Sequence, residues 1–201
     1  MILTEIGEIG VHHQGNTFVL RPSLYAMSQI GSPKEILESY ALIMSEFSDS
    51  KSKMRWKQFR EALSVINSCC EDDLSDVFGY LNERRKYVKK AAGMSDILAV
   101  ARSLMQHGIT GAQEPKKRKD KESDYVTEFK AQDHVALAMA HLNMPEDKAW
   151  AMTMTSLAAA LRAKFPQQES KEPGSKAPTK DEHEATMEWF EKVQRKRDSV
   201  H

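Results

Sequence analysis

The hydrophobic positions change period several times along the chain. Residues 2–11 and 17–20 are rich in apolar and β-branched types, and the stretch between them, His12-His13-Gln14-Gly15-Asn16, carries the Gly-Asn pair that hairpin loops favour, so a small N-terminal β-hairpin is expected. Alternation shifts near Gly7, with Ile2 and Ile6 in one phase and Ile9 and Val11 in the other, which predicts a bulge there. From Pro22 the period becomes helical: Leu24, Tyr25, Met27 and Ile30 recur at helix spacing and the run stops at Gly31.

A longer helix follows. Ser32-Pro33-Lys34-Glu35 combines a capping-box pair with proline at the first helical position, and Ile36, Leu37, Tyr40, Ile43, Met44 and Phe47 form one stripe behind it. Residues 54–67 place Trp56, Phe59, Leu63 and Ile66 on a second stripe. Asp72 and Asp73 suit the positive end of a next helix, whose apolar positions Leu74, Val77, Phe78 and Leu81 run into a basic tail of Arg84, Arg85, Lys86, Lys89 and Lys90. Ser95 is expected to cap a further helix carrying Ile97, Leu98, Ala101, Leu104 and Met105 and ending at His107-Gly108.

Periodicity then lapses. Residues 110–124 read as a polar linker, and three short helices are expected after it, over residues 133–142, 145–152 and 156–164, with Pro145 as a first helical residue and Thr155 as an N-cap. A second polar linker spans residues 166–180, and Thr179 with Glu182 opens a last amphipathic helix bearing Thr186, Trp189, Phe190 and Val193. The resulting expectation is a mainly α protein with a small N-terminal β-hairpin and two helical modules joined by a polar linker. Residues 1–109 form the first module, 110–124 the linker and 125–165 the second module, followed by a linker at 166–180 and a C-terminal amphipathic helix at 181–201.

Composition narrows the function classes. The 201 residues carry 29 basic and 29 acidic side chains, so no overall field draws the protein to nucleic acid or an anionic membrane. No apolar run has the length to span a bilayer, and the N-terminus lacks a signal-peptide pattern, which points to the cytoplasm. The two cysteines, Cys69 and Cys70, are adjacent and read as reduced thiols.

Candidate chemistry is sparse. His12-His13 fall in the hairpin loop, and His134 and His141 are seven apart without a ligand set, so no metal site and no cofactor is expected. No Gly-x-Ser-x-Gly elbow and no phosphate-cradling glycine pattern occurs, so no catalytic residue is assigned and the chain is read as a non-enzyme. The basic run Pro115-Lys116-Lys117-Arg118-Lys119 has the form of a nuclear import signal, but acidic residues follow at once and a solvated linker is the favoured explanation. The helical triplet at 133–165 also has helix-turn-helix spacing, making a nucleic-acid-binding or regulatory protein the alternative reading. Against it, Glu146 and Asp147 would face phosphates, and Trp150, Met152 and Met154 are poor readers of base edges.

Binding to another protein uses the same residues better. Methionines adapt to irregular partner surfaces, so Trp150, Met152, Met154, Leu157, Leu161 and Phe165 are assigned to a partner-binding face, with ordinary core packing as the competing use. Trp189 and Phe190 join that set because so large an aromatic pair on a narrow stripe needs cover, from the protein's own domain, a second copy or a partner helix.

At Asp147-Lys148-Ala149-Trp150-Ala151-Met152-Thr153-Met154-Thr155 the chain resembles the Ala-Trp-x-Met-Thr stretch of the tail assembly chaperones of long-tailed bacteriophages. Leu20-Arg21-Pro22-Ser23 after a small β-element, the helical middle and a C-terminal part behind a polar linker extend that resemblance over most of the length. The resemblance implies no catalytic residues, a long helical tape measure protein as partner, tail-tube subunits as a second partner, and the host cytoplasm as the location. It places Ala149, Trp150, Met152, Thr153 and Thr155 in the folded C-terminal module, at or near its binding face.

Overall fold

The computed structural model describes residues 1–47, 52–112 and 127–166, and is mainly helical with a small N-terminal antiparallel hairpin. A single 3₁₀ turn, Thr4–Ile6, precedes strands β1 (Ile9–His13) and β2 (Asn16–Leu20), which pair from Ile9 opposite Leu20 to His13 opposite Asn16. The first strand is thus shorter than its composition predicts. The chain turns at Gly7, where φ is +92° and a Cβ would lie 2.3 Å from that of His107, so glycine is required on two counts. The hairpin tip is the two-residue pair Gln14-Gly15, both at positive φ as a type I′ turn needs, and His12 and His13 belong to the strand instead of the loop.

Glu8 sits between turn and strand with its carboxylate inside the protein. It accepts from the Leu3 backbone N–H (2.8 Å) and from both Nε (2.6 Å) and Nη2 (2.5 Å) of Arg21. This pair pins the N-terminal turn to the end of β2, and removing either partner would leave the other charge uncompensated.

Helix α1 (Leu24–Ser28) is capped by Ser23, and α2 (Pro33–Met44) by Ser32, whose backbone N–H and hydroxyl both donate to the Glu35 carboxylate (2.8 and 2.7 Å). That hydrogen bonding holds the Glu35 carboxyl below its ordinary range. The capping box and the stripe from Ile36 to Met44 follow the sequence expectation, but the helix ends at Met44 and Phe47, expected on the same stripe, lies beyond it. Helix α3 (Ser52–Ser68) and helix α5 (Met94–Met105) make the most extensive helix pair, with Ala62, Val65, Ile66, Ile97, Ala101 and Leu104 all removed from solvent. Burying an isoleucine or leucine of this kind contributes about 1.5–3 kcal/mol.

Gln58 was hidden within the helix pattern. Its buried amide lies 2.9, 3.1 and 2.8 Å from the carbonyls of Leu42, Ile43 and Ser45, and Arg102 donates to those of Ile43 (3.0 Å) and Ser45 (3.1 Å). Two side chains from α3 and α5 therefore satisfy the carbonyls left over at the end of α2.

The helix expected from Leu74 to Leu81 is reduced to α4 (Ser75–Phe78). It stops at Gly79, where φ is +76° and a Cβ would fall 2.3 Å from the Val88 carbonyl oxygen. The basic stretch that follows is a second small hairpin, β3 (Tyr80–Leu81) with β4 (Tyr87–Val88), instead of a helical tail. Helix α5 is capped by Gly93 with Asp96, placing Ser95 in its first turn, and it continues past His107 as a widened π-turn, Gln106–Thr110, closed by Gly111.

After residues 113–126, which lie outside the described part and contain most of the expected linker, come α6 (Ala131–Leu142), α7 (Glu146–Trp150) and α8 (Met154–Lys164). Asn143 ends α6 in the left-handed conformation, and Pro145 is the cap of α7, one place before the first helical residue. These helices pack on α1 and on the π-turn, and residues Met1–Phe165 form one compact unit. The expected helix around Trp189 and Phe190 lies outside the described residues.

Candidate binding surface around Trp150

Two capped helix starts meet in the middle of the molecule. Ser23 Oγ accepts from the Ala26 N–H (3.0 Å) at the start of α1, and Thr153 Oγ1 accepts from the Ser156 N–H (3.1 Å) at the start of α8. The two cap residues form an antiparallel β-bridge with each other, and the Leu24 N–H donates to the Met152 carbonyl (2.8 Å). Thr153 is 1% exposed, its N–H returning to Ser156 Oγ at 3.0 Å. The cap of α8 is thus Thr153, two residues before the expected Thr155. Thr155 acts elsewhere, because its hydroxyl lies 2.9 Å from Nδ1 of His107 and donates to the His107 carbonyl (3.3 Å), fastening α8 to the π-turn.

Ala149 is wholly buried, and its small side chain lets α7 lie against α1. The neighbouring Trp150 is consequently held at the surface, half-buried, with its indole N–H donating to Glu146 (3.2 Å) and Tyr25 of α1 edge-on at 6.4 Å between ring centroids. Tyr25 itself is 58% exposed. On one side of this aromatic pair is a groove of about 540 Å³ bounded by Arg21, Tyr25, Cys70, Asp72, Asp147 and Trp150. On the other side of Trp150 is a hollow of about 390 Å³ bounded by Pro33, Ile36, Phe129, Lys130 and Asp133.

The structure distributes the expected partner-binding residues unevenly. Trp150 is on this surface. Met152 and Met154 are half-buried against the core on either side of the Thr153 cap. Leu157 is 1% exposed and belongs to the core, so it holds α8 in place and offers a partner nothing. Leu161 is partly covered one turn on, and Phe165 is about half exposed at the far end of α8, its ring edge-on to His141 at 5.4 Å. Trp189 and Phe190 are outside the described residues. Tyr25, Glu71, Asp72 and Asp147 complete the groove and were not singled out from the sequence as site residues, since no local pattern marks residues that meet only through folding.

The titrating groups near this surface are tuned by burial. Cys69 is inside the protein and its thiol is pushed up to about 12, while Cys70, on the groove wall, is raised by the same cause. Neither is poised as a thiolate nucleophile. Desolvation lowers His107 at the π-turn and His134, which lies against the Phe129 ring. Among the described residues no three His, Cys, Asp or Glu side chains are grouped to hold a metal ion, and no helix is long and apolar enough to cross a membrane.

Fold and surface together define a mainly helical protein that carries, among its described residues, an aromatic ridge between two hollows. The chain belongs to DUF6246, a family of unknown function whose model matches residues 20–185 and so takes in Tyr25, Trp150 and the acidic wall of the groove. No curated protein and no solved structure matches it.

Proposed function

We propose that this protein is a non-enzymatic assembly chaperone of a long-tailed bacteriophage. In this reading it holds a long helical tape measure protein soluble in the host cytoplasm, and engages tail-tube subunits as assembly proceeds. The observation that carries the reading is Trp150 within the Ala149–Thr153 stretch that resembles such chaperones: a large indole kept half-exposed by a buried alanine on one side and a buried, capping threonine on the other. A rigid aromatic flanked by hollows suits the capture of apolar side chains from a helical partner, because such anchors contribute most of the binding free energy at interfaces. Activity by mass action, without nucleotide or metal, is consistent with that chemistry.

Co-expression with the tape measure protein from the same source tests it. The expected result is a soluble partner that co-purifies in a defined ratio, with Trp150→Ala weakening the complex by about 30-fold, the effect of losing an interface anchor worth about 2 kcal/mol. A tape measure protein that stays insoluble and unbound refutes the reading. Salt-dependent retention on duplex DNA would then favour the helix-turn-helix alternative.

A further inference from the structure

The groove beside Trp150 has a counterpart elsewhere on the same chain. Its walls carry Glu71, Asp72 and Asp147 alongside the exposed Tyr25 and half-buried Trp150 rings. The one basic residue on its wall, Arg21, is already neutralised by the buried Glu8 at 2.5 Å. Asp147 has Lys148 nearby at 3.9 Å, and Asp72 the weak Cys70 thiol donor at 3.9 Å. The groove is therefore acidic and aromatic.

The β3–β4 hairpin is the opposite in charge and similar in apolar content. Tyr87 anchors it, stacking edge-on against Phe59 (4.7 Å) and donating its hydroxyl to the Phe78 carbonyl (2.8 Å). Tyr80 and Leu81 are left outward, 45% and 37% exposed. At the tip Asn82 accepts from the N–H groups of Arg84 (3.1 Å) and Lys86 (2.9 Å), so the turn is held in shape by its own hydrogen bonds. The side chains of Arg84, Arg85, Lys86 and Lys89 are exposed, outnumbering Glu83, whereas Lys90 is occupied by Asp76 at 2.9 Å. This is a preshaped cationic projection with two apolar side chains at its base.

We infer that the groove receives the β3–β4 hairpin of a second copy of this chain, with Tyr80 or Leu81 against the Tyr25–Trp150 pair and the tip arginines over Glu71, Asp72 and Asp147. None of the groove's lining residues belongs to the hairpin, so one copy can accept and donate at the same time. Such a contact is heterologous, and copies add head to tail. Opposite charge on preshaped surfaces speeds and orients the encounter, and the aromatic pair supplies the apolar contact. The inference uses the Trp150 surface that the proposed chaperone activity also uses, so a second copy and the tape measure protein would compete for it, but it requires no other protein and is tested without one.

Sedimentation velocity of the full chain across a concentration series tests it. The expected result is reversible self-association that weakens about ten-fold or more as salt rises from about 0.05 to about 0.5 M. The variant R84E/R85E keeps a working groove and E71K/D72K keeps a working hairpin; each alone should be monomeric, with unchanged circular dichroism. Mixed, the two regain opposite charge at both contacts, acidic groove with basic hairpin and lysine-bearing groove with glutamate-bearing hairpin, so association should return with the two variants alternating. A wild-type chain that is monomeric throughout, association indifferent to salt, or association abolished by only one of the two charge reversals overturns the inference. A monomer would leave the groove free for a different protein, and the tape measure experiment would stand unaffected.

Discussion

The α3–α5 pair and the junction of α1, α7 and α8 are built from the same kinds of residue and end in opposite states. In the first, the apolar positions on the facing stripes are covered, and even the polar members Gln58 and Arg102 are turned to the carbonyls of α2. In the second, backbone pairing and two hydroxyl caps join the elements, and large side chains such as Tyr25 and Trp150 are left partly outside. Where hydrogen bonds fix the geometry of a junction, apolar surface need not all be buried to hold it, and the remainder is available to a partner.

The contrast can be broken most forcefully in the α3–α5 pair. Ile97→Ala should lower stability by about 2–5 kcal/mol, read from urea unfolding, because the cavity it leaves is surrounded by fully buried neighbours. Leu161→Ala on the half-covered face of α8 should cost clearly less. Equal losses at the two positions would mean that the regions do not differ as their burial implies.

A milder change sharpens the second region alone. Thr153→Ala removes the oxygen that caps α8 and should cost about 1 kcal/mol, with Thr153→Ser recovering most of it since serine supplies the same acceptor. If serine behaves like alanine, the methyl packing of Thr153 matters and the cap does not.

The smallest effect is on acid stability. His107 and His134 are both lowered by desolvation from the ordinary value of 6.5, so the unfolded chain takes up protons more readily than the folded one. Their contribution to stability is complete above that value and is lost as pH falls below it toward the depressed folded values. A melting temperature followed from about pH 7.5 to about 5.5 should fall, and the fall should be shallower in a His107→Gln, His134→Gln double variant. An unchanged pH profile in the double variant would place the acid sensitivity in other groups.

Helices with a strong stripe and a local cap were readable residue by residue, as with Ser32, Glu35 and the run from Ile36 to Met44. The errors fall where a distant atom intervenes. The helix expected through Leu81 stops at Gly79 because β4 passes alongside, and the cap of α8 moves from Thr155 to Thr153 because Ser23 and His107 claim the two threonines differently. Leu157 illustrates the same limit at the candidate surface: on its own helix it resembles a docking residue, and only the neighbours of α8 place it in the core.

The sequence by itself determined the helical class, the N-terminal hairpin, the capped start of α2, the approximate place of the other helices and the unusual Trp150 segment, since these rest on spacing, capping and turn chemistry within a few residues. The tertiary structure alone decided which apolar side chains remain outside and which acids gather around them. Tyr25, Asp72 and Asp147 lie in separate parts of the chain, and they share a wall because the Ser23–Thr153 bridge draws α1 to the α7–α8 junction and the Arg21 N–H holds the Cys69 carbonyl beside it at 2.8 Å. A surface of that kind is a property of long-range contacts, which local periodicity cannot encode.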